Sequence, residues 1–234
     1  MKTRLFVVTI AIAAASAQAA PIVISGTDIY NGATPGSTWV AAPGALELKN
    51  KGCTALTPSC PAGGFTGVGV SGNTGGEIDV NETITGTFLA PATIDFLRLM
   101  VLYEGPEFGD FQEVARVTAN LFGGGMVVAT LTANYTALGT SATWSYAPGS
   151  VTNVSPAIES EAGVWLVTNP FGGLAVSSLE FTAVNGACGA GACNNQSDYA
   201  IESLGYTVPE PGSVALLGGG LIGLAAWARR RRAS

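Results

Sequence analysis

Hydrophobic and polar positions alternate along much of this chain with the two-residue period of a β-strand. Residues 126–134 are the clearest case, because Val127, Ala129, Leu131 and Ala133 fall on one face of an extended segment and more polar residues on the other. The same pattern predicts strands at residues 82–88, 114–121, 142–146, 164–169, 174–184 and 199–207. No long stretch has the 3.6-residue repeat of an amphipathic helix, so an all-β fold is expected.

Residues 94–103 differ from this pattern because they are apolar on both faces apart from Asp95 and Arg98. Such a run is typical of a central strand that is covered on both sides. Clusters of glycine, asparagine and proline separate the predicted strands. About eight to ten short strands at this spacing favour an antiparallel β-sandwich, jelly-roll-like in its topology.

The amino terminus has the three zones of a signal peptide. Lys2 and Arg4 precede an uncharged apolar run at residues 5–15, and Ala17-Gln18-Ala19 follows it. The run is too short to cross a hydrocarbon core of about 30 Å as a helix. Residues 1–19 are therefore predicted to be a signal peptide cleaved between Ala19 and Ala20, with an uncleaved anchor as the alternative.

The carboxyl terminus also has three zones in a fixed order. Residues 208–212 read VPEPG, residues 213–228 carry no charge, and residues 229–232 are four arginines within a basic tail at 229–234. The prolines prevent a helix or strand from continuing through the first zone. A helix over 213–228 would rise about 24 Å, which predicts a short single transmembrane helix held on the cytoplasmic side by the arginines.

This end, VPEPGSVALLGGGLIGLAAWARRRR, resembles the PEP-CTERM sorting signal of Gram-negative bacteria. The resemblance implies that Pro209, Glu210 and Pro211 are recognised by an exosortase, a membrane-embedded cysteine protease. It also implies a precursor exported past signal peptidase, anchored in the inner membrane, and then placed at the cell surface or outside the cell. The alternative is an ordinary tail-anchored helix that follows a chance pair of prolines.

The body between the two signals, residues 20–207, is one predicted domain, and it is acidic. Its basic residues are Lys49, Lys51, Arg98 and Arg116, against fifteen of the sixteen acids, since Glu210 lies outside it; the formal net charge is −11. Such a body repels nucleic acid, which is excluded as a partner. The chain contains no histidine, so histidine-dependent nucleophiles, bases and zinc sites are excluded.

Four cysteines occur as two close pairs, Cys53 with Cys60 and Cys188 with Cys193. An even number of cysteines in an exported chain predicts disulfides. Pairing within each short loop is favoured because short loops cost little closure entropy. Cross-pairing between the two loops is the alternative.

Two groups of acidic residues are candidate metal sites, and Ca²⁺ is the only cofactor that they suggest. The first group lies in the predicted loop YEGPEFGDFQE, where clustered carboxylates could supply the oxygen ligands that Ca²⁺ prefers. The alternative is a solvated connection. Its members are Glu104, Glu107, Asp110 and Glu113.

The second acidic group is Glu77, Asp79 and Glu82 in GGEIDVNET. Asp198 is a possible late partner, by resemblance to carbohydrate-binding jelly rolls that hold a structural Ca²⁺ near their first and last strands. The alternative is that these acids mark strand ends and turns.

The body is also similar to the β-sandwich bodies common among PEP-CTERM proteins, for example in LYEGPEFGDFQEVARV and SDYAIESLGYTVPEP. That similarity implies no activity. We expect a non-enzymatic structural or adhesive protein of the extracellular matrix or biofilm, associated with exopolysaccharide. The alternatives are a carbohydrate-binding module and a glycoside hydrolase built on paired carboxylates. Aromatic residues that could stack on sugars, or fill a core instead, are Trp39, Trp144, Tyr146, Trp165 and Phe171.

Overall fold

Antiparallel β-strands make up nearly all of the regular structure in the computed structural model. The structure describes residues 20–52, 64–103, 112–134, 141–155, 163–187 and 197–209, together with residues 220, 223 and 229. Residues Ala20–Val208 form one compact unit. A second unit contains Met1–Ala19 and Pro209–Ser234, of which only the four positions from 209 onward named above are described.

The described part of the first unit contains twelve strands and one short helix. In chain order they are β1 Ile22–Ser25, α1 Gly26–Asn31, β2 Ser37–Ala42, β3 Leu46–Lys51, β4 Phe65–Val70, β5 Thr83–Met100, β6 Gln112–Leu121, β7 Met126–Asn134, β8 Ser141–Trp144, β9 Ser150–Asn153, β10 Trp165–Thr168, β11 Ala175–Asn185 and β12 Ala200–Thr207.

The all-β expectation is confirmed, and β7 shows why the alternating pattern was informative. This strand spans the predicted residues, with Ala129, Leu131 and Ala133 fully buried and the residues between them partly exposed. It pairs with β6 on one side and β8 on the other. One face of the strand can therefore fill the core while the other remains in water.

Strand β5 corrects the prediction of two separate strands at residues 82–88 and 94–103. The structure joins them into one strand that ends at Met100. Residues 88–91, including Pro91, lie opposite Ser177 alone in a bulge against β11. Proline cannot donate to a sheet, and bulges are where sheets accommodate it. The sequence pattern predicted a break between two strands there, but the structure has one continuous strand with a bulge.

The strands that pair with β5 change near this bulge. Its first part, up to Phe88, pairs with β2 and β11, and the ladder continues from β11 through β6 and β7 to β8. Its last part pairs with β12 and β10, and the ladder continues from β12 to β1 and β4 and from β10 to β9. Strand β5 is therefore common to two ladders.

Side chains from both ladders meet in one hydrophobic cluster, which includes Ile84, Leu131, Phe181 and Leu204. Trp39 lies at one edge of this cluster, and the centroid of its ring is 6.1 Å from that of Phe181. It can lie there because position 86 of β5 is glycine: a Cβ at that position would stand 2.5 Å from the indole. The close approach of a ring to the backbone explains this glycine inside a strand.

Five strands, β1–β4 and β9, and the helix α1 were not predicted. The helix has a recognisable signal. Ser25 is its N-cap, its Oγ accepts from the backbone amide of Asp28 at 3.1 Å, and the Asp28 carboxylate accepts from the Ser25 amide at 2.8 Å. These two hydrogen bonds form a capping box. The pKa of Asp28 is lowered mainly because the Ser25 hydroxyl also donates to its carboxylate, at 2.7 Å, and further because the Ser25 amide does.

Within the described part of the chain, no helix has the length and apolar character that a membrane span requires. The predicted transmembrane segment at 213–228 lies outside the described residues except for positions 220 and 223, and so does the predicted signal peptide at 1–19.

Candidate functional site

The body ends where the predicted sorting motif begins. Strand β12 pairs with β5 along its length, and the Thr207 hydroxyl donates to the Asp95 carboxylate at 2.8 Å. Val208 packs against the hydrophobic core. Pro209, the next residue, is exposed. The first motif proline is therefore accessible immediately after the last residue that packs on the core, while Glu210 and Pro211 lie outside the described residues.

The predicted signal-peptidase site lies at the same end of the body. Strand β1 runs antiparallel to β12, and Ile22 is opposite Tyr206. Ala20, two residues before that pair, is exposed, whereas Ala19 lies outside the described residues. The first and last residues of the body, which adjoin the two predicted processing signals, therefore lie on neighbouring strands.

The acidic group at Glu77, Asp79 and Glu82 is buried, with exposed fractions of 3%, 1% and 6%. Sequence reasoning grouped these residues correctly but did not predict their burial. An ionised carboxylate inside a protein must be compensated by hydrogen bonds or an opposite charge. The question for a candidate site is therefore whether their oxygens are available to a ligand.

Asp79 accepts hydrogen bonds within its own loop. The Thr74 amide donates to Asp79 Oδ2 at 2.7 Å, and the Thr74 hydroxyl lies 3.2 Å from Oδ1. Glu82 accepts from the Asn73 amide at 3.2 Å and from the Asp79 amide at 3.0 Å. Both carboxylates hold the loop that carries them in place.

Glu77 has a different partner. Lys49 from β3 brings its Nζ to 2.5 Å from Glu77 Oε1. The lysine side chain is about a quarter exposed and the glutamate almost completely buried, at 26% and 4%. This ion pair connects the loop to the edge strand β3, which explains why one of the few basic residues of the body lies there.

Tyr199, the residue after Asp198, accepts a hydrogen bond from the Ile78 amide of this loop through its carbonyl at 2.6 Å; the role of Asp198 as a metal partner stays a prediction. Among the residues that the structure describes, no group of three or more acidic or cysteine side chains is placed to hold a metal ion. Asp79 and Glu82 accept hydrogen bonds from their own loop, and Glu77 pairs with Lys49 of β3. The Ca²⁺ site at the second acidic group stays a prediction.

The first acidic group falls mostly outside the described residues, since Glu104, Glu107 and Asp110 are not described; their Ca²⁺ assignment stays a prediction. Glu113 is described and is only 4% exposed. It accepts a hydrogen bond from the backbone amide of Tyr103. For Glu113 the expectation of a solvated loop residue is wrong, because the carboxylate is needed at the buried end of β5.

The candidate aromatic residues are mainly core residues. Trp39, Trp165 and Phe171 are buried. Trp144 and Tyr146 are half-buried and rest on Phe171, with ring centroids 6.0 Å and 6.5 Å away. The Trp144 indole is further fixed by donating to the Pro170 carbonyl at 3.0 Å. Trp144 meets Phe171 edge-on and Tyr146 is tilted against it, so both rings help to hold this part of the body in place.

The four cysteines Cys53, Cys60, Cys188 and Cys193 all lie outside the described residues, so the disulfide prediction remains a prediction.

One surface feature was not predicted at all. Leu89, Phe122 and Met126 are 78%, 63% and 65% exposed, and we call them the apolar rim. Phe122 and Met126 flank the three glycines 123–125 in the turn between β6 and β7. The signal available in the sequence was LFGGGM, large apolar residues beside a turn, where polar residues are usual.

The comparison with protein families gives one match. The model of the PEP-CTERM protein-sorting motif matches residues 207–232. No curated protein and no solved structure matches the chain. The match begins at the last residue of β12, where the body ends, and confirms the resemblance drawn from the sequence. The motif implies an exported protein that is processed at a membrane by an exosortase.

Proposed function

Because this chain carries a PEP-CTERM protein-sorting motif, we propose that it is an exosortase substrate with a non-enzymatic extracellular body. Residues 1–19 direct export and are removed, and residues 213–228 anchor the precursor in the inner membrane. The exosortase then acts at Pro209, Glu210 and Pro211, leaving the body at the cell surface or in the extracellular matrix. There it has a structural or adhesive role among exopolysaccharides.

The observation that carries this proposal is the sharp boundary at Val208. The body is hydrogen-bonded and packed up to Thr207 and Val208, and the chain is exposed at Pro209. A protease needs an extended, accessible segment, and proline-rich peptide supplies one. Cleavage in the motif would leave β12 and the core intact.

The architecture that we propose for the body is an antiparallel sandwich. Strand β5 is common to two ladders, and side chains from both ladders belong to one core cluster. Two sheets packed face to face around such a core, with a strand that passes from one sheet to the other at a bulge, are a known solution for antiparallel proteins. The jelly-roll-like connection order remains part of this proposal.

A non-enzymatic role is supported by how the described polar groups are used. Asp79, Glu82 and Glu113 are occupied by backbone amides, and Glu77 by Lys49. Burial raises the pKa of Tyr199 well above its usual range, although Arg116 opposes the shift, and its hydroxyl donates to the Thr182 carbonyl at 3.2 Å. A group that is hydrogen-bonded inside the core cannot reach a substrate.

The processing step can be tested in cells with and without an exosortase. The mass of the surface-released protein should show loss of everything beyond about residue 208 only when the exosortase is present. Glu210→Ala should retain the tail with Arg229, and Glu180→Ala, which removes an equal charge from β11, should be processed normally. A released protein that keeps the tail in most molecules despite the exosortase would refute the sorting role.

Hydrolysis of polysaccharides separates the enzymatic alternative from the two non-enzymatic ones. A structural or adhesive body, like a carbohydrate-binding module, should retain polymer in a pull-down without shortening it. Release of reducing ends from the same polymers would show a glycoside hydrolase and contradict the non-enzymatic role.

A further inference from the structure

The apolar rim lies at the end of the body from which the carboxyl-terminal segment leaves. Thr207 of β12 is opposite Thr93 of β5, and Thr93 is opposite Ala175 of β11. The Phe122 amide donates to the Ala175 carbonyl at 2.9 Å. Phe122 is thus three strands away from the last residue of β12, or about 14 Å at the usual strand spacing.

The other two rim residues lie on strands β5 and β7. The Leu89 amide donates to the Gly36 carbonyl, within the bulge of β5 that faces Ser177. Met126 is opposite Asn120 of β6. None of these neighbours across the sheet is charged, although the body as a whole carries a net charge of −11.

The turn beside the rim is open. Gly123, Gly124 and Gly125 all have positive φ angles, of 95°, 105° and 87°, and a Cβ at any of them would meet nothing within 4 Å. Glycine is required there by the backbone conformation. Phe122 and Met126 stand at either side of this bare turn, so no larger side chain in the turn shields them.

The length of the remaining chain limits how far this end can lie from a membrane. Six peptide units separate Thr207 from residue 213, where the uncharged segment begins. Even a fully extended connection of that length spans at most about 20 Å. If residues 213–228 are in a bilayer, as the proposed function requires, the end of the body that carries the rim is held at the bilayer surface.

The geometry points to a lipid-contact site: the apolar rim inserts into the headgroup region of the membrane that anchors the precursor. This inference rests on the proposed function. Large apolar side chains beside an open turn bind the interface by burying apolar area at the boundary between headgroups and acyl chains. Tethering makes the contact intramolecular, so even a weak interaction is populated. The contact orients the body while the motif awaits cleavage and is lost when the tail is removed.

A lipid surface fits the rim better than a protein does, because the rim consists of only three large apolar residues. A stable protein interface involves about 20 to 30 residues on each side, with polar groups around an apolar centre. The rim has three large apolar residues. Contact with the exosortase itself is the competing occupant, and the experiment below separates the two.

The test uses the full chain in vesicles of phosphatidylethanolamine and phosphatidylglycerol that contain a lipid with a photoreactive diazirine on its acyl chain. After illumination, peptide mapping should find lipid attached within residues 121–128. The double variant Phe122→Ser with Met126→Ser should lower this labelling about tenfold, the factor expected for losing roughly 1.4 kcal/mol of apolar contact. Val40→Ser is the matched control, since Val40 is 62% exposed but lies on edge strand β2.

Flotation of the vesicles reports anchoring separately from rim contact. If the protein floats with the vesicles but no lipid is attached at 121–128, the rim inference is wrong and membrane anchoring is still supported. Chain that does not float would overturn both. Equal labelling around Val40 and Phe122 would show non-specific contact and overturn the rim. Lipid labelling at 121–128 that disappears when the exosortase is reconstituted in the same vesicles would assign the rim to the protease.

Discussion

Two short segments of the body depart from the usual distribution of polar and apolar residues in opposite directions. The loop at residues 71–82 buries three carboxylates, whereas the turn at residues 121–126 exposes a phenylalanine and a methionine. In the loop, the structure supplies a partner for each carboxylate. In the turn, the apolar side chains point to solvent.

The difference indicates where to look for function in this protein. A buried polar group that is fully hydrogen-bonded has an internal explanation, and it is evidence about stability. Several large apolar side chains exposed at the end of the body where the chain leaves point instead to a contact outside the body. The sequence directed attention to the acids as candidate sites, but the structure directs it to the rim. Four predictions test this contrast, from the largest effect on stability to the smallest.

Removing the Asp79 carboxylate should have the largest effect. Asp79→Ala removes a buried carboxylate and leaves the partly buried Thr74 amide and hydroxyl without their acceptor, so we expect the free energy of unfolding to fall by about 3 kcal/mol. Urea denaturation of the full chain measures it. Asp79→Asn keeps one oxygen and should cost less.

The same variant tests Ca²⁺ binding. If Asp79 bound Ca²⁺, millimolar CaCl₂ would raise the melting temperature more than NaCl at equal ionic strength, and Asp79→Asn would abolish that difference. We expect the difference between the two salts not to depend on Asp79.

Breaking the ion pair of Glu77 should be the next largest effect. Lys49→Met leaves a buried charge without its partner, and we expect a loss of about 2 kcal/mol, below the range for fully buried pairs because Lys49 is partly exposed. Adding Glu77→Gln should recover part of the loss, since the uncompensated charge is then gone. A double variant as unstable as the sum of the two single variants would show that the side chains act independently.

In the capping box of α1 a carboxylate again accepts hydrogen bonds, but it is less buried, so its removal should lower the free energy of unfolding by less. Asp28→Ala should cost about 1 kcal/mol or less, because water solvates the exposed groups and screens them. The pKa of Asp28 is lowered in the folded state, so its contribution is present above the ordinary pKa of 3.8 and is lost as the pH falls through the lower folded value. Urea midpoints at pH 7, 5 and 3 should show the variant and the parent converging at the lowest pH.

Substitution in the rim should have the smallest effect on folding. Phe122→Ser changes an exposed side chain, so we expect the free energy of unfolding to change by less than about 0.5 kcal/mol. Val40→Ser, at nearly equal exposure, should behave the same way. A loss of 2 kcal/mol or more for Phe122→Ser alone would show that the ring packs within the body, and the contrast between loop and turn would disappear.

Strand periodicity predicted much of the fold because it reflects a local property. The alternation in β7 follows from one buried and one solvated face, and any pairing partner preserves it. The same reasoning failed at Pro91, where a proline and a bulge interrupt the pattern without ending the strand. It also missed β3 and β4, since short strands with lysines or glycines do not alternate clearly.

The sequence by itself determined the sorting motif, because an exosortase signal is read as a linear order of prolines, apolar residues and arginines and needs no folded partner. It likewise determined the absence of histidine chemistry and the negative charge of the body. Only the tertiary structure decided that Glu77, Asp79 and Glu82 are internal supports, since Lys49 and the backbone amides that satisfy them come together through folding. Only the structure placed Leu89, Phe122 and Met126 at the end of the body where β12 ends, because β12, β5, β11 and β6 pair in that order although they are far apart in the sequence.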